Sequence, residues 1–151
     1  MDIRLGTSED IDLWMTLVDK VKDIFPGLET KEAIDEHKVT VLGFISRQEA
    51  LCAEADGKIV GTLLFSKEWN KLCFLAVDSN YRRLHIASKL VHRMYDYLDL
   101  SKDITLETHV EGVAQGIPAR RFYKSLGFKE SIVKEEFGSQ VQEFILEKEP
   151  F

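Results

Sequence analysis

The dipeptide Asp56-Gly57 separates two apolar runs, Leu51 to Ala55 and Ile59 to Phe65. The centre of a tight two-residue turn needs positive φ, which Asp and Gly tolerate, so the spacing predicts a β-hairpin and commits this stretch to an antiparallel sheet. Beyond it the period changes. Leu72 to Val77 reads as a third strand, and Ile86, Ala87, Leu90, Val91, Met94 and Leu98 form a helical stripe running through Asp99. Ile104 to Val110 reads as the next strand. A strand, a helix and a strand in that order predict two parallel strands joined by a right-handed crossover. An antiparallel meander must therefore continue into a parallel pair, and the fold class is mixed α/β.

The flanks supply further elements. Residues 2–6 read as a short strand, after which Thr7 or Ser8 can cap a helix carrying Ile11, Trp14, Leu17, Val18, Val21 and Phe25 at three- and four-residue steps, ended by Pro26-Gly27. A second helix from about Thr30 places Ile34, His37, Val41, Phe44 and Ile45 on one side, although Val39 to Ile45 alone also fits a strand. A short helix from Pro118 to Leu126 ends at Gly127, and two last strands flank Phe137-Gly138-Ser139. With no repeat, low-complexity tract or Pro/Gly/Ser-rich linker in 151 residues, one domain spanning 1–151 is expected.

Apolar residues at 44% can fill a core, which excludes disorder as the main state. Lys plus Arg number 20 against 26 Asp plus Glu, and the net charge of −6 opposes binding to a phosphate backbone, so no nucleic-acid partner is expected. The N-terminal Met1-Asp2-Ile3-Arg4-Leu5-Gly6 lacks the apolar stretch of a signal peptide, and no apolar run reaches the length of a membrane span. Cys52 and Cys73 lie in apolar surroundings without metal-ligand spacing, which predicts buried, reduced thiols, no metal site and a cytoplasmic location.

The stretch with chemical content runs from Leu75, Ala76 and Val77 through Asp78-Ser79-Asn80-Tyr81 into Arg82-Arg83-Leu84-His85-Ile86-Ala87-Ser88, off a strand and into a helix through a basic turn. A helix N-terminus offers unpaired N–H groups and roughly +0.5 of an elementary charge, to which Arg82, Arg83 and the Ser88 hydroxyl can add donors, so the junction suits a phosphate. The plainer reading has solvated arginines on a simple connection.

Together with Ala119-Arg120-Arg121-Phe122-Tyr123-Lys124-Ser125-Leu126-Gly127-Phe128, this stretch resembles the GNAT superfamily of N-acetyltransferases. Arg82, His85 and Ala87 stand at the marked positions of that family's Gln/Arg-x-x-Gly-x-Gly/Ala signature. Ala119, Phe122, Tyr123, Gly127 and Phe128 meet its second signature, an Ala followed by Phe-Tyr-x-x-x-Gly-Phe. The element order matches over essentially the whole chain. Two positions depart: His85 replaces the usual glycine of the phosphate turn, and Gly116 stands where the family often has Asn.

The resemblance implies a mixed sheet of about seven strands with about four helices on its two faces and splayed central parallel strands. It implies acetyl-coenzyme A as cosubstrate, held by the backbone of Leu75, Ala76 and Val77 and by the turn Arg82, Arg83, Leu84, His85, Ile86, Ala87 and Ser88. It implies direct attack by the amine of a small molecule or peptide in a ternary complex, and it allows a homodimer. A non-catalytic acyl-coenzyme A binding or sensing module on the same fold is the alternative. An alkyl amine of pKa near 10.4 is neutral in only about one molecule in 2,500 at pH 7, a handicap of roughly 4.6 kcal/mol, so a base or a dehydrated pocket is required. Glu107, His109 and Glu54 are candidates, each with the plainer reading of a solvated or paired side chain, while Cys73 reads as core. Tyr123 occupies the family's general-acid position. A phenol near pKa 10 protonating a thiolate near 8.5 runs uphill by roughly 2 kcal/mol, and the plainer reading is an aromatic packed beside Phe122. The first two helices are rich in Asp and Glu, which fits either a cationic acceptor or a solvated face.

Overall fold

A computed structural model describes residues 1–25, 27–82, 84–136 and 138–148. Seven strands form one sheet: β1 (Asp2–Leu5), β2 (Ala50–Ala55), β3 (Lys58–Ser66), β4 (Lys71–Val77), β5 (Ile104–His109), β6 (Lys129–Glu136) and β7 (Ser139–Leu146). Their spatial order is β1-β2-β3-β4-β5-β7-β6, and only the central β4–β5 pair is parallel. The hairpin at Asp56-Gly57 forms as its sequence demands, with φ of +55° and +73° at the two turn residues.

Helices α1 (Ile11–Val21) and α2 (Lys31–Ser46) cover one face of the sheet, and α3 (Ile86–Tyr95) and α4 (Ile117–Ser125) belong to the other. Apolar stripes explain the division. Trp14, Leu17, Val18 and Val21 of α1 join Val41 and Ile45 of α2 in one buried cluster, while Ile86, Leu90, Val91 and Met94 of α3 join Tyr123 of α4 in the other. Helix α3 lies close on β3 because Gly61 has no side chain there. A Cβ on Gly61 would stand 2.6 Å from Ile86 Cγ2.

Two helix ends differ from expectation. The first helix stops at Val21 and tightens into a 3-10 turn over Lys22–Ile24 rather than running through Phe25, and Pro26 lies outside the described residues. Helix α3 ends at Tyr95 instead of Asp99, because backbone N–H groups of Asp96 and Tyr97 close the last turn and Leu98 packs from beyond it. The segment read as either helix or strand at Val39 to Ile45 is helical, part of α2, whose start Thr30 caps by accepting from the Ala33 N–H at 3.1 Å.

Candidate functional site

Strands β4 and β5 pair only at Lys71↔Thr105. Past that point they diverge, so the β5-facing backbone edge of β4 from Cys73 to Val77 has no strand partner among the described residues. A β-bulge lies at the point of departure: Leu64 pairs with Phe74 and Phe65 with Leu72, which leaves Cys73 opposite nothing on β3. The other edge of β4 stays bound to β3 through Leu75, Ala76 and Val77. Leu75 and Val77 direct their side chains into the α3/α4 cluster and Ala76 into the α1/α2 cluster, so these residues can meet a ligand only through the backbone.

At the end of β4 the chain enters the basic turn. Asp78 fixes its first half: its N–H donates to the Val60 carbonyl at 2.8 Å, its Oδ1 accepts from the Asn80 N–H at 3.0 Å, and Lys20 Nζ reaches its Oδ2 at 3.1 Å. Burial works to raise the Asp78 pKa, but the Asn80 N–H and the Lys20 ammonium outweigh it and hold the carboxyl below the usual range. The Tyr81 hydroxyl donates to Asp56 Oδ2 at 3.2 Å and ties the turn to the β2–β3 hairpin.

The second half of the turn opens α3. His85 is its N-cap with φ +56° and ψ +33°, the left-handed conformation that glycine adopts without strain. The backbone therefore keeps here the conformation that glycine would adopt, and the imidazole is exposed and makes no capping hydrogen bond. The first helical bond of α3 runs from Lys89 N to His85 O, so the N–H groups of Ile86, Ala87 and Ser88 are free of intrahelical partners. Arg82 and Leu84 are exposed beside them; Arg83 lies outside the described residues. The Ile86 side chain is buried, and the Ser88 hydroxyl sits 3.3 Å from His92 Nδ1, so both can serve a ligand best through the backbone.

Tyr123 belongs to the core. It is 7% exposed, with its ring against Phe122, Phe128 and Phe144, and its hydroxyl makes no hydrogen bond among the described residues. Burial pushes its phenol well above the usual pKa, which weakens it further as an acid. Arg120, three residues earlier, is also buried: it donates to the His109 carbonyl at 2.9 Å and to Glu130 Oε1 at 2.8 Å, over the Phe144 ring.

On the α1/α2 face a cavity of about 910 Å³ opens over the β4–β5 junction, with Lys71, Cys73, Thr105 and Glu107 in its wall. The expectation of a buried Cys73 is overturned: the bulge turns it into this wall, where it is exposed, and only Cys52 is buried. Surrounding protein still pushes the Cys73 thiol up to about 11, so it is no nucleophile at neutral pH.

Of the candidate bases the two carboxylates are ion-paired, while His109 is held through its Nε2–H alone. Glu107 is held by Lys71 at 2.5 Å and by Lys134 at 3.4 Å, and Glu54 accepts from Arg4 at 2.7 Å. His109 Nε2–H donates to the Ile24 carbonyl at 3.1 Å, and its ring has room because Gly116 is bare; a Cβ at Gly116 would run into His109. Sequence reasoning gave no chemistry to His37, which lay on an apolar helix side. Its ring packs 4.8 Å from Phe74, its Nε2 is buried without a hydrogen-bond partner among the described residues, and burial lowers its pKa below 6.5. A lone histidine within a helical apolar stripe was the available signal.

Among the described residues no group of three or more His, Cys, Asp or Glu could hold a metal ion, and no helix is long and apolar enough to cross a membrane. A family model described as an acetyltransferase (GNAT) domain matches residues 46–130. No curated protein sequence matches. Among solved structures, an N-acetyltransferase from Staphylococcus aureus Mu50 is similar at 16% identity and TM-score 0.75, over 97% of this chain and 100% of the other. The PaiA N-acetyltransferase from Thermoplasma acidophilum, in complex with coenzyme A, aligns at 20% identity and TM-score 0.69 over 94% and 96% of the two chains. YncA, a putative acetyltransferase from Salmonella typhimurium with its cofactor acetyl-CoA, aligns at 14% identity and TM-score 0.73 over 100% and 95%.

Proposed function

The chain belongs to the GNAT acetyltransferase family, and from that premise we propose that residues 1–151 form one domain that transfers the acetyl group of acetyl-coenzyme A to an amine, by direct attack within a ternary complex. The observation that carries this reading is the divergence of β4 from β5 after Lys71↔Thr105, which leads straight into a turn holding a left-handed residue at the start of α3. An extended amide-bearing chain fits the open β4 edge, and a diphosphate fits the free N–H groups of Ile86, Ala87 and Ser88 beside Arg82. When bound, acetyl-coenzyme A supplies the activated acetyl thioester.

The chain's own residues divide the work. The open amides of β4 near Leu75, Ala76 and Val77 hold the pantetheine arm and donate to the oxygen that gains charge, a role backbone N–H groups fill without reorganisation. Tyr123 stands on the coenzyme side of the sheet. Its raised pKa makes simple donation to a thiolate more than the roughly 2 kcal/mol uphill that ordinary values give, so its hydroxyl acts by hydrogen-bonding the departing sulfur. The amine enters from the α1/α2 face, where the cavity over Cys73 and Glu107 opens.

Two measurements test this. Coenzyme A should raise the unfolding temperature, with about 2.7 kcal/mol of stabilisation at a hundredfold excess over its dissociation constant. A panel of primary amines, among them butylamine, spermidine and a lysine-containing peptide, should release free thiol from acetyl-coenzyme A. Stabilisation without thiol release from any amine would favour the non-catalytic binding module, and no stabilisation by millimolar coenzyme A would end the coenzyme reading.

A further inference from the structure

The reaction needs a group that takes a proton from an ammonium ion at neutral pH, and the carboxylates around the cavity are occupied by cations. Glu107 lies between Lys71 and Lys134, Glu143 accepts Lys134 at 2.8 Å, and Glu49 pairs with Arg47 at 2.8 Å. Nε2 of His37 is sealed from solvent, so no acceptor reaches it. His109 differs from all of these. A carbonyl can only accept, so the contact with Ile24 requires the proton on Nε2, and in the neutral ring the lone pair then sits on Nδ1. That Nδ1 has no hydrogen-bond partner among the described residues, and it is not sealed off, the residue being half-buried.

We propose that Nδ1 of His109 is the general base for the acceptor amine. The assignment rests on the acetyltransferase reading above and on where β5 carries the ring. Side chains alternate along a strand, and Leu106 is buried in the α3/α4 cluster, so Thr105, Glu107 and His109 share the α1/α2 face. Thr105 and Glu107 line the cavity over Cys73, and His109 is the next side chain on that face, about 7 Å beyond Glu107. The step runs in the direction in which the strands part. Counted on from Lys71↔Thr105, His109 stands level with Leu75, or with Ala76 once the bulge residue is allowed for, across the opening from the β4 amides assigned above to the thioester.

The surroundings hold the ring in that role. Bare Gly116, at the start of α4, leaves the space into which the His109 side chain fits, and the Ile24 carbonyl anchors the far end of the ring. Ile24 and Ile117 carry exposed apolar side chains on the two segments beside it, and an ammonium drawn against such residues loses hydration, which favours its neutral form. Among the described residues no charged side chain pairs with the imidazole. Glu107 is taken by its lysines, Lys134 also by Glu143, and Lys22 by Asp19, while Asp23 is exposed and Arg120 bonds the His109 backbone carbonyl, not the ring. An imidazole is the side chain whose charge ordinarily changes between pH 5 and 8, and when Nδ1 takes a proton the Nε2–H bond to Ile24 becomes charge-assisted. The balance is complete: one proton passes from the ammonium to Nδ1 and then to water, the nitrogen–carbon bond forms as the carbon–sulfur bond breaks, and a second proton from the nitrogen ends on the leaving sulfur.

The test uses the full chain as His109→Gln, whose amide N–H can still donate to Ile24 but which is no base, and as His109→Ala, assayed with and without imidazole in the buffer. With the amine that the panel turns over, kcat of the wild type should rise with pH along an acidic limb and level off. His109→Gln should lose roughly 10²- to 10⁴-fold in kcat at pH 7, regain much of it as pH rises towards the amine pKa, and bind coenzyme A as tightly as the wild type. Added imidazole should raise the rate of His109→Ala by about tenfold or more. A loss uniform across pH that imidazole does not relieve would make His109 a structural tether and overturn the proposal, as would an acidic limb that persists in His109→Gln and vanishes in Glu107→Gln. Coenzyme binding without turnover of any amine by the wild type would refute the transferase reading and this base with it, whereas intact turnover with an unchanged pH profile in His109→Gln would refute the base alone.

Discussion

Replacing His85 by glycine separates the backbone of the phosphate turn from its side chain. At φ +56° and ψ +33° a residue with a Cβ is strained by about 1–2 kcal/mol relative to the right-handed region. Glycine removes that strain, and because the imidazole makes no capping hydrogen bond the substitution sacrifices no cap. Opposing this, glycine gives the unfolded chain more freedom, worth about 0.4–1 kcal/mol. The two nearly offset, with a net gain of about 0.5 kcal/mol, and at about 2–4 °C per kcal/mol for a chain of this size Tm should rise by about 1–2 °C. His85→Ala pays the left-handed strain with none of the tolerance histidine shows there, so its Tm should fall. Thermal unfolding of the three proteins reads stability, and titration calorimetry with coenzyme A reads the site. His85→Gly should bind at least as tightly as the wild type, since a bare Cα lets a diphosphate approach the amides of Ile86 and Ala87. A Tm drop of several degrees in His85→Gly would refute the strain argument, and a tenfold or greater loss of coenzyme affinity would show that the imidazole itself contacts the ligand.

Arg82→Glu should weaken coenzyme A binding at least tenfold, whereas Arg121→Glu, on the exposed side of α4, should change it little; equal losses in calorimetry would indicate a diffuse field. Arg120 is unsuited as the comparison because its guanidinium is buried against Glu130 and the His109 carbonyl. Tyr123→Phe should lower kcat by roughly 10²-fold with Tm and coenzyme affinity nearly unchanged, and unaltered turnover would leave Tyr123 as a core aromatic. Arg4 holds the Asp10 carboxyl down to about 2, against 3.8 for a free one, so Asp10 contributes about 2 kcal/mol of stability that is complete above about pH 5 and lost as pH falls towards 2. Asp10→Asn should accordingly flatten the acid limb of the stability–pH curve, and an unchanged limb would show the pair to be energetically idle.

The fold was legible wherever a local rule determined the local answer. Asp56-Gly57 needed positive φ and has it, and the strand–helix–strand run from Leu72 to Val110 could close in one sheet only with parallel strands. Helix ends were less legible, since Val21 and Tyr95 finish their helices through 3-10 and turn hydrogen bonds that no terminal glycine or proline announces. The turn from Arg82 to Ser88 was readable as a junction of strand and helix, but the left-handed backbone at His85 was not, because nothing in the sequence other than the family's usual glycine marks it.

Cys73 shows where that reasoning stops. Counted back from Phe74, strict alternation along β4 sends residue 73 to the α3/α4 face, but the bulge adds one residue and leaves both Cys73 and Phe74 on the side of α1 and α2. Nothing in Lys71-Leu72-Cys73-Phe74 announces a bulge, which lies where β4 parts from β5 while staying bound to β3. The same extra residue that exposes Cys73 brings Phe74 against His37. The pairings of the carboxylates were unreadable for a related reason. Glu107 and Glu54 find their cations at Lys134 and Arg4, 27 and 50 residues away, pairings that only the assembled sheet creates.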